Sequence, residues 1–218
     1  MIASFLAYFA DLSIIMPTVF GIVRRSYFQT NIYKLIGFYV FLTLLRNIAT
    51  LIMNQMGVYN IYIYNWHNLL EFILIAIIYK LVIKNSNFKF LAVGGILVVI
   101  CTAFLDYNTL INIRTRDFNQ FSYNVSGFIA IVFILFYLYQ LLKSLNVPNL
   151  TSYPLFWFSA GALFYYAGTI FSYIFIEITF NSTIELRQQY WMIDAILSIV
   201  FSIFLCFSIW YMKPAKTI

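Results

Sequence analysis

Charge is what this chain has least of: 9% of its 218 residues are Asp, Glu, Lys or Arg, while 63% are hydrophobic. A soluble domain carries about 25% charged residues, so composition alone excludes an ordinary soluble enzyme and points to a polytopic membrane protein. Histidine occurs once and cysteine twice. That poverty excludes a His- and Cys-rich zinc site, which needs three or four such ligands. Cys101 and Cys206 fall inside apolar spans at opposite depths, so no disulfide is expected between them. No Gly-rich phosphate loop or nucleophile-elbow sequence occurs, and the last span has no mid-length lysine for a retinal Schiff base. The first apolar stretch contains Asp11 and is followed, not preceded, by Arg24-Arg25, so it reads as a retained span and not as a cleaved leader.

Long apolar runs are what the chain does have. They cover about 3–23, 33–53, 63–83, 89–106, 122–143, 154–178 and 190–212, each long enough to cross a ~30 Å hydrocarbon layer as a helix. The expected fold is all-α, a single seven-transmembrane-helix domain over 1–218. Pro17 is expected to kink the first span, and Pro154 to open the sixth. Gly94-Gly95 would loosen the fourth span or admit a close neighbour, and Gly161 and Gly168 would ease helix motion. The net charge of +6 sits mostly in short loops beside span ends, which is topology information and argues against nucleic acid. With the N-terminus outside, Arg24, Arg25, Lys34, Lys80, Lys84, Lys89, Lys143, Lys213 and Lys216 lie inside, and only Arg114, Arg116 and Arg187 lie outside. The expectation is therefore N-terminus out and C-terminus in, in a bacterial inner membrane, with the connector 107–121 as an external, solvated loop.

The charges inside the spans are the candidate site. Asp11, Arg46, His67, Glu71 and Asp194 fall within apolar runs and Glu177 at a span end. Depth counted at about 1.5 Å per residue places them in the outer half. Polar residues recur at intervals of three or four on five spans: Ser4, Tyr8 and Asp11; Tyr39, Thr43, Arg46-Asn47 and Thr50; Tyr64, His67-Asn68 and Glu71; Tyr165, Thr169, Tyr173 and Glu177; Tyr190, Asp194, Ser198 and Ser202. Such stripes converge on a shared interior, because a charge facing lipid at the bilayer centre costs about 2.5–3.5 kcal/mol. The expected pocket is lined by Asp11, Arg46, His67, Glu71 and Asp194, with Tyr8, Asn47, Tyr64, Asn68, Tyr173, Glu177, Tyr190 and Ser198 at its rim. One guanidinium does not neutralise four carboxylates, so the pocket calls for protonation, water or a small cationic or lipid-like ligand. Arg46 paired with Glu71 or Asp11 would alternatively act as helix glue. His67 and Glu71 share a helix face, yet a lone histidine makes a metal site a poor fit, and neither metal nor cofactor is expected.

The segments Ile63-Tyr64 through Glu71-Phe72 and Phe156-Trp157 through Tyr165-Tyr166-Ala167-Gly168 resemble those of an uncharacterised family of small seven-span bacterial membrane proteins. That resemblance implies the seven-span fold and carries no activity. Three functions stay open: binding and sensing a ligand on behalf of a membrane signalling partner or a second copy, transport coupled to protons or cations, and a structural assembly subunit. None of the three is an enzyme.

Overall fold

The computed structural model describes residues 2–112, 118–143, 149–179 and 184–213, without the side chains of 2–4, 174–179, 184–188, 190 and 191. Its helices are α1 (Ile2–Ser13), α2 (Ile15–Val23), α3 (Asn31–Gln55), α4 (Ile61–Val82), α5 (Ser86–Leu105), the short α6 (Asn108–Ile111), α7 (Gln120–Lys143), α8 (Pro154–Thr179) and α9 (Ile184–Trp210). There is no strand among the described residues. Seven helical segments are long and apolar enough to cross a membrane: Phe5–Val23, Asn31–Gln55, Ile61–Val82, Ser86–Leu105, Gln120–Lys143, Pro154–Tyr173 and Met192–Trp210.

Local sequence sets the ends of these helices. Thr30 caps α3 by accepting from the Tyr33 N–H at 3.2 Å, and Asn85 caps α5 by accepting from the Asn87 N–H at 2.9 Å. At the far end of α3, Gly57 adopts φ +67°. The Val58 N–H then reaches the Met53 carbonyl at 3.0 Å and the Gly57 N–H the Asn54 carbonyl at 3.2 Å, a Schellman closure that favours glycine at this position. Pro154 is the first residue of α8, where its missing N–H leaves nothing unsatisfied. Pro17 lacks the N–H that would bond the Ser13 carbonyl. The first span accordingly breaks at Ile14 into α1 and α2.

α4 is the axis of the bundle. It packs on α3, α5 and α7, and the Tyr79 and Ser159 hydroxyls join it to α8 at 2.8 Å. Phe72, Ile75, Ala76, Ile78 and Tyr79 are all sealed from solvent, as expected of a helix that is apolar on nearly every side. α7, α8 and α9 follow one another around it, and α1 and α2 close the ring between α9 and α3. The connector after α5 is docked and not the solvated loop its composition suggests. The Asn65 carboxamide donates to the Thr109 carbonyl at 2.9 Å and accepts from the Asn119 N–H at 3.0 Å, while Trp66 Nε1 donates to the Leu110 carbonyl at 2.9 Å. Residues 113–117, with Arg114 and Arg116, lie outside the described residues. Both cysteine thiols are free.

The glycines of α8 permit close packing, a different role from the mobility expected of them. A Cβ at Gly161 would stand 2.5 Å from the Phe204 Cβ, and one at Gly168 would stand 2.5 Å from the Leu197 Cδ1. Gly95 is likewise filled by Phe133, whereas Gly94 faces open space. The Phe204 Cβ is fixed to its backbone and cannot swing aside, while the Leu197 methyl can. Gly161→Ala is therefore expected to destabilise the bundle by about 1–3 kcal/mol, Gly168→Ala by less, and Gly94→Ala not at all. Thermal unfolding of the detergent-purified protein checks this order, and equal melting of the Gly161 and Gly94 variants would contradict it.

Candidate functional site

Glu71 is the eleventh of the 22 residues of α4 and only 5% exposed. It therefore stands at mid-height of α4. Burying an ionisable carboxyl at that depth requires partners, and three neighbours supply them. The Tyr39 hydroxyl of α3 donates to Oε1, and the Tyr166 hydroxyl of α8 donates to the same oxygen at 2.9 Å. His67, one turn earlier on α4, places Nδ1 at 3.2 Å from Oε2. Phe158 and Phe201 stack edgewise on Tyr39 at 5.6 and 5.7 Å and hold its ring in place.

Arg46 does not pair with Glu71 or Asp11. Among the described residues the His67–Glu71 contact is the only one of its kind within 4.0 Å. The Arg46 guanidinium lies over the Tyr64 ring at 5.2 Å, a cation–π contact. Its Nε donates to Asn47 Oδ1 at 2.8 Å, and Asn47 Nδ2 donates in turn to the Asp11 backbone carbonyl at 2.8 Å. This relay ties the first three spans together. Arg46 acts on Asp11, Glu71 and Asp194 through space, without a direct contact.

Between these groups lies a cavity of about 30 Å³, bounded by Ser13 and Ile14 at the break of the first span, by Thr43, Arg46 and Asn47, by His67 and Glu71, by Tyr165, and by Ser198 and Ser202. The five spans around it are those that carry the polar stripes. A cavity of this size holds one or two waters. Two buried acceptors have no partner: His67 Nε2, on a residue of the cavity wall, and Asp194 Oδ1, on a residue that was expected to line the cavity and is not part of its wall. With Nδ1 donating to Glu71, a neutral imidazole presents Nε2 as an acceptor.

Several expected rim residues stand elsewhere. Tyr8 is 58% exposed and faces outward. Asn68 turns toward α7 and accepts from the Ser126 hydroxyl at 3.0 Å. Tyr173 packs on Phe118 and Tyr123 at 5.0 and 4.6 Å. Asp11 contributes its backbone carbonyl to the relay, and its side chain is not part of the cavity wall. Asp194 sits one turn from Ser198, which does line the cavity. The side chains of Glu177 and Tyr190 lie outside the described residues. Sequence reasoning missed Tyr39 and Tyr166 as partners of Glu71, since neither is ionised and tyrosine is abundant, with 18 in the chain. The signal available was that Tyr39 belongs to the Arg46 stripe.

Among the described residues no three of His, Cys, Asp and Glu come together to hold a metal. Comparison with family models, curated proteins and solved structures finds no match to this chain.

The geometry ranks the polar residues by what their loss strands. Glu71→Leu leaves the Tyr39 and Tyr166 hydroxyls and His67 Nδ1 buried without an acceptor, at about 1–3 kcal/mol each. Arg46→Met removes a charge that has no carboxylate in contact and should cost less. A double-mutant cycle on Tyr39→Phe and Glu71→Gln is expected to show coupling above about 1 kcal/mol, and one on Arg46→Met and Glu71→Gln a smaller value. Thermal unfolding reads both cycles, and the reverse order would place the ion pair where the structure does not.

Proposed function

We propose that this chain is a multi-pass protein of the bacterial inner membrane, N-terminus outside, that binds a small hydrogen-bond-donating cation in its central cavity and passes occupancy to a membrane partner. Support for membrane insertion comes from the seven apolar helices. Nine cationic side chains against three in the connecting segments support the orientation, and the resemblance of the two aromatic segments supports the bacterial setting. One observation carries the binding reading: an unpartnered buried acceptor on His67, which with Glu71 lines a water-sized cavity. An orphaned acceptor in a dry interior costs about 1–3 kcal/mol, and a guest that donates hydrogen bonds removes that cost. Ammonium or hydronium matches both the volume and the sign. A lipid-like ligand is too large for about 30 Å³.

Transport coupled to protons or cations is the second reading, favoured by the position of Glu71 at mid-height, where an alternating site would stand. Structural glue has the saturation of Glu71 by three neighbours in its favour.

Ammonium and potassium at equal ionic strength separate these readings, because the two ions are similar in size and only ammonium donates hydrogen bonds. The binding reading expects ammonium to raise the melting temperature of the wild type above the potassium control, and Glu71→Gln to abolish the difference. No difference in the wild type would leave the cluster as glue. Ammonium flux into proteoliposomes that depends on Glu71 would favour transport. For orientation, a membrane-impermeant maleimide applied to intact cells should label a cysteine placed at Asn60 and not one at Asn85, in a Cys101→Ala, Cys206→Ala background. Labelling at Asn85 alone would invert the topology.

A further inference from the structure

At the opposite end of α4 from Asn60, a second cavity of about 330 Å³ opens between the start of α5 and the end of α7. It shares no wall with the central one. Asn85, Phe136, Tyr139, Gln140 and Lys143 line it. Phe136 is stacked on Phe88 of α5 at 5.2 Å between ring centres, yet Phe136 remains 38% and Tyr139 62% exposed. The Lys143 ammonium stands 5.8 Å from the Tyr139 ring centre, at the helix terminus. Lys84 and Lys89, both exposed, flank Asn85 and Phe88 along the chain. The Asn85 Oδ1 is already spent on capping α5, which leaves its N–H groups to offer. Gln140 Oε1 is buried with no partner.

The combination is specific. Aromatic walls, a lysine rim and one buried acceptor suit a ligand with an apolar body, a phosphate and a hydroxyl. Basic pockets between helices on the cytoplasmic side of a membrane protein hold anionic lipid headgroups by this chemistry. The volume lies at the lower end of the range for ligand pockets, enough for a headgroup and glycerol with the acyl chains left in the bilayer. A free phosphate would satisfy the lysines and leave the aromatic walls unmatched.

We propose that this cavity is a binding site for an anionic, hydroxylated phospholipid of the inner leaflet, with its phosphate on Lys143, Lys84 and Lys89 contributing to the field, and a headgroup hydroxyl donating to Gln140 Oε1. The site rests on the membrane reading above and is independent of what occupies the central cavity. It gives the inner end of α7 a lipid counterpart, in the leaflet where the orientation places most of the basic side chains.

The test uses the full chain in nanodiscs of phosphatidylcholine alone or with added phosphatidylglycerol, with bound lipid counted by native mass spectrometry after release and stability read by thermal shift. Phosphatidylglycerol is expected to be retained and to raise the melting temperature of the wild type. Lys143→Gln should weaken retention about fivefold, the worth of one lysine near an anionic surface, while Lys34→Gln, another exposed inner-end lysine on α3, should not. Inorganic phosphate added to the phosphatidylcholine discs should leave the melting temperature unchanged. Equal loss in the Lys34 and Lys143 variants would overturn the site in favour of diffuse surface charge. A shift with inorganic phosphate as large as with the lipid would overturn it in favour of a soluble anion. Incorporation into the discs with no preference for phosphatidylglycerol would overturn the lipid site alone, and failure to incorporate would overturn the membrane reading with it.

Discussion

The contact of one buried carboxyl with three neighbours organises this bundle. Glu71 lies at the middle of the most enclosed helix, where an ionisable group without partners would carry several kcal/mol of desolvation. Tyr39 from α3, Tyr166 from α8 and His67 from α4 itself converge on its two oxygens. Those partners fix the rotation of three helices about their own axes, which apolar packing alone leaves loosely specified, since one aliphatic face fits a groove nearly as well as another. Inside a hydrocarbon layer the constraint would be sharper still, because apolar side chains gain nothing from leaving lipid and interhelical contacts must come from packing and polar pairs.

Much of the architecture was legible in the sequence, and the reason is physical. An apolar run of about 20 residues has few other fates, so seven spans could be drawn to within a few residues from hydropathy. Pro17 breaks the first span because its missing N–H is a covalent fact, independent of context. The polar stripes at Tyr39, Thr43, Arg46 and Asn47, and at Ser198 and Ser202, identified the helix faces that now line the cavity. Pairing was not legible. Charge bookkeeping points Arg46 at a carboxylate, whereas it lies on the Tyr64 ring and donates to Asn47. One sequence gives the angular position of a residue on its helix, but the facing residue depends on how helices are arranged around the axis. Gly161 and Gly168 show the same limit, since a glycine chosen for a close crossing and one chosen for mobility look alike in sequence.

The displaced Arg46 changes what the central cluster can do. Had the guanidinium bridged Glu71, the cavity would be electrically closed and the pair would behave as glue. With tyrosine hydroxyls as its partners instead, Glu71 is held by neutral donors while the cation stands off, attached to Tyr64 and to the relay through Asn47. The field at the cavity is then set by the Glu71 carboxyl and by Arg46, both on its wall and not in contact with each other, with the Asp194 carboxyl one turn from Ser198. His67 Nε2 and Asp194 Oδ1 remain buried acceptors without a donor.

The walls of the cavity are held unequally. The first span is the least enclosed of the seven, with 11% of its apolar window buried against 56% for α4. Its hydrogen-bond ladder is already interrupted at Ile14, and Ser13 and Ile14 at that interruption form part of the cavity wall. Its polar ties across the cavity are few: the Ser13 hydroxyl to the Ser202 hydroxyl at 2.8 Å, and the Asp11 carbonyl to Asn47 at 2.8 Å. The opposite wall is α4, fixed on several sides by aromatic packing and by the Glu71 and Tyr79 contacts. Local opening follows the lowest density of buried contacts, which makes the α1–α2 break the least supported wall of the cavity and α4 the firmest. The first span thus carries the break, part of the cavity wall and an outward surface rich in exposed Phe, Leu and Ile.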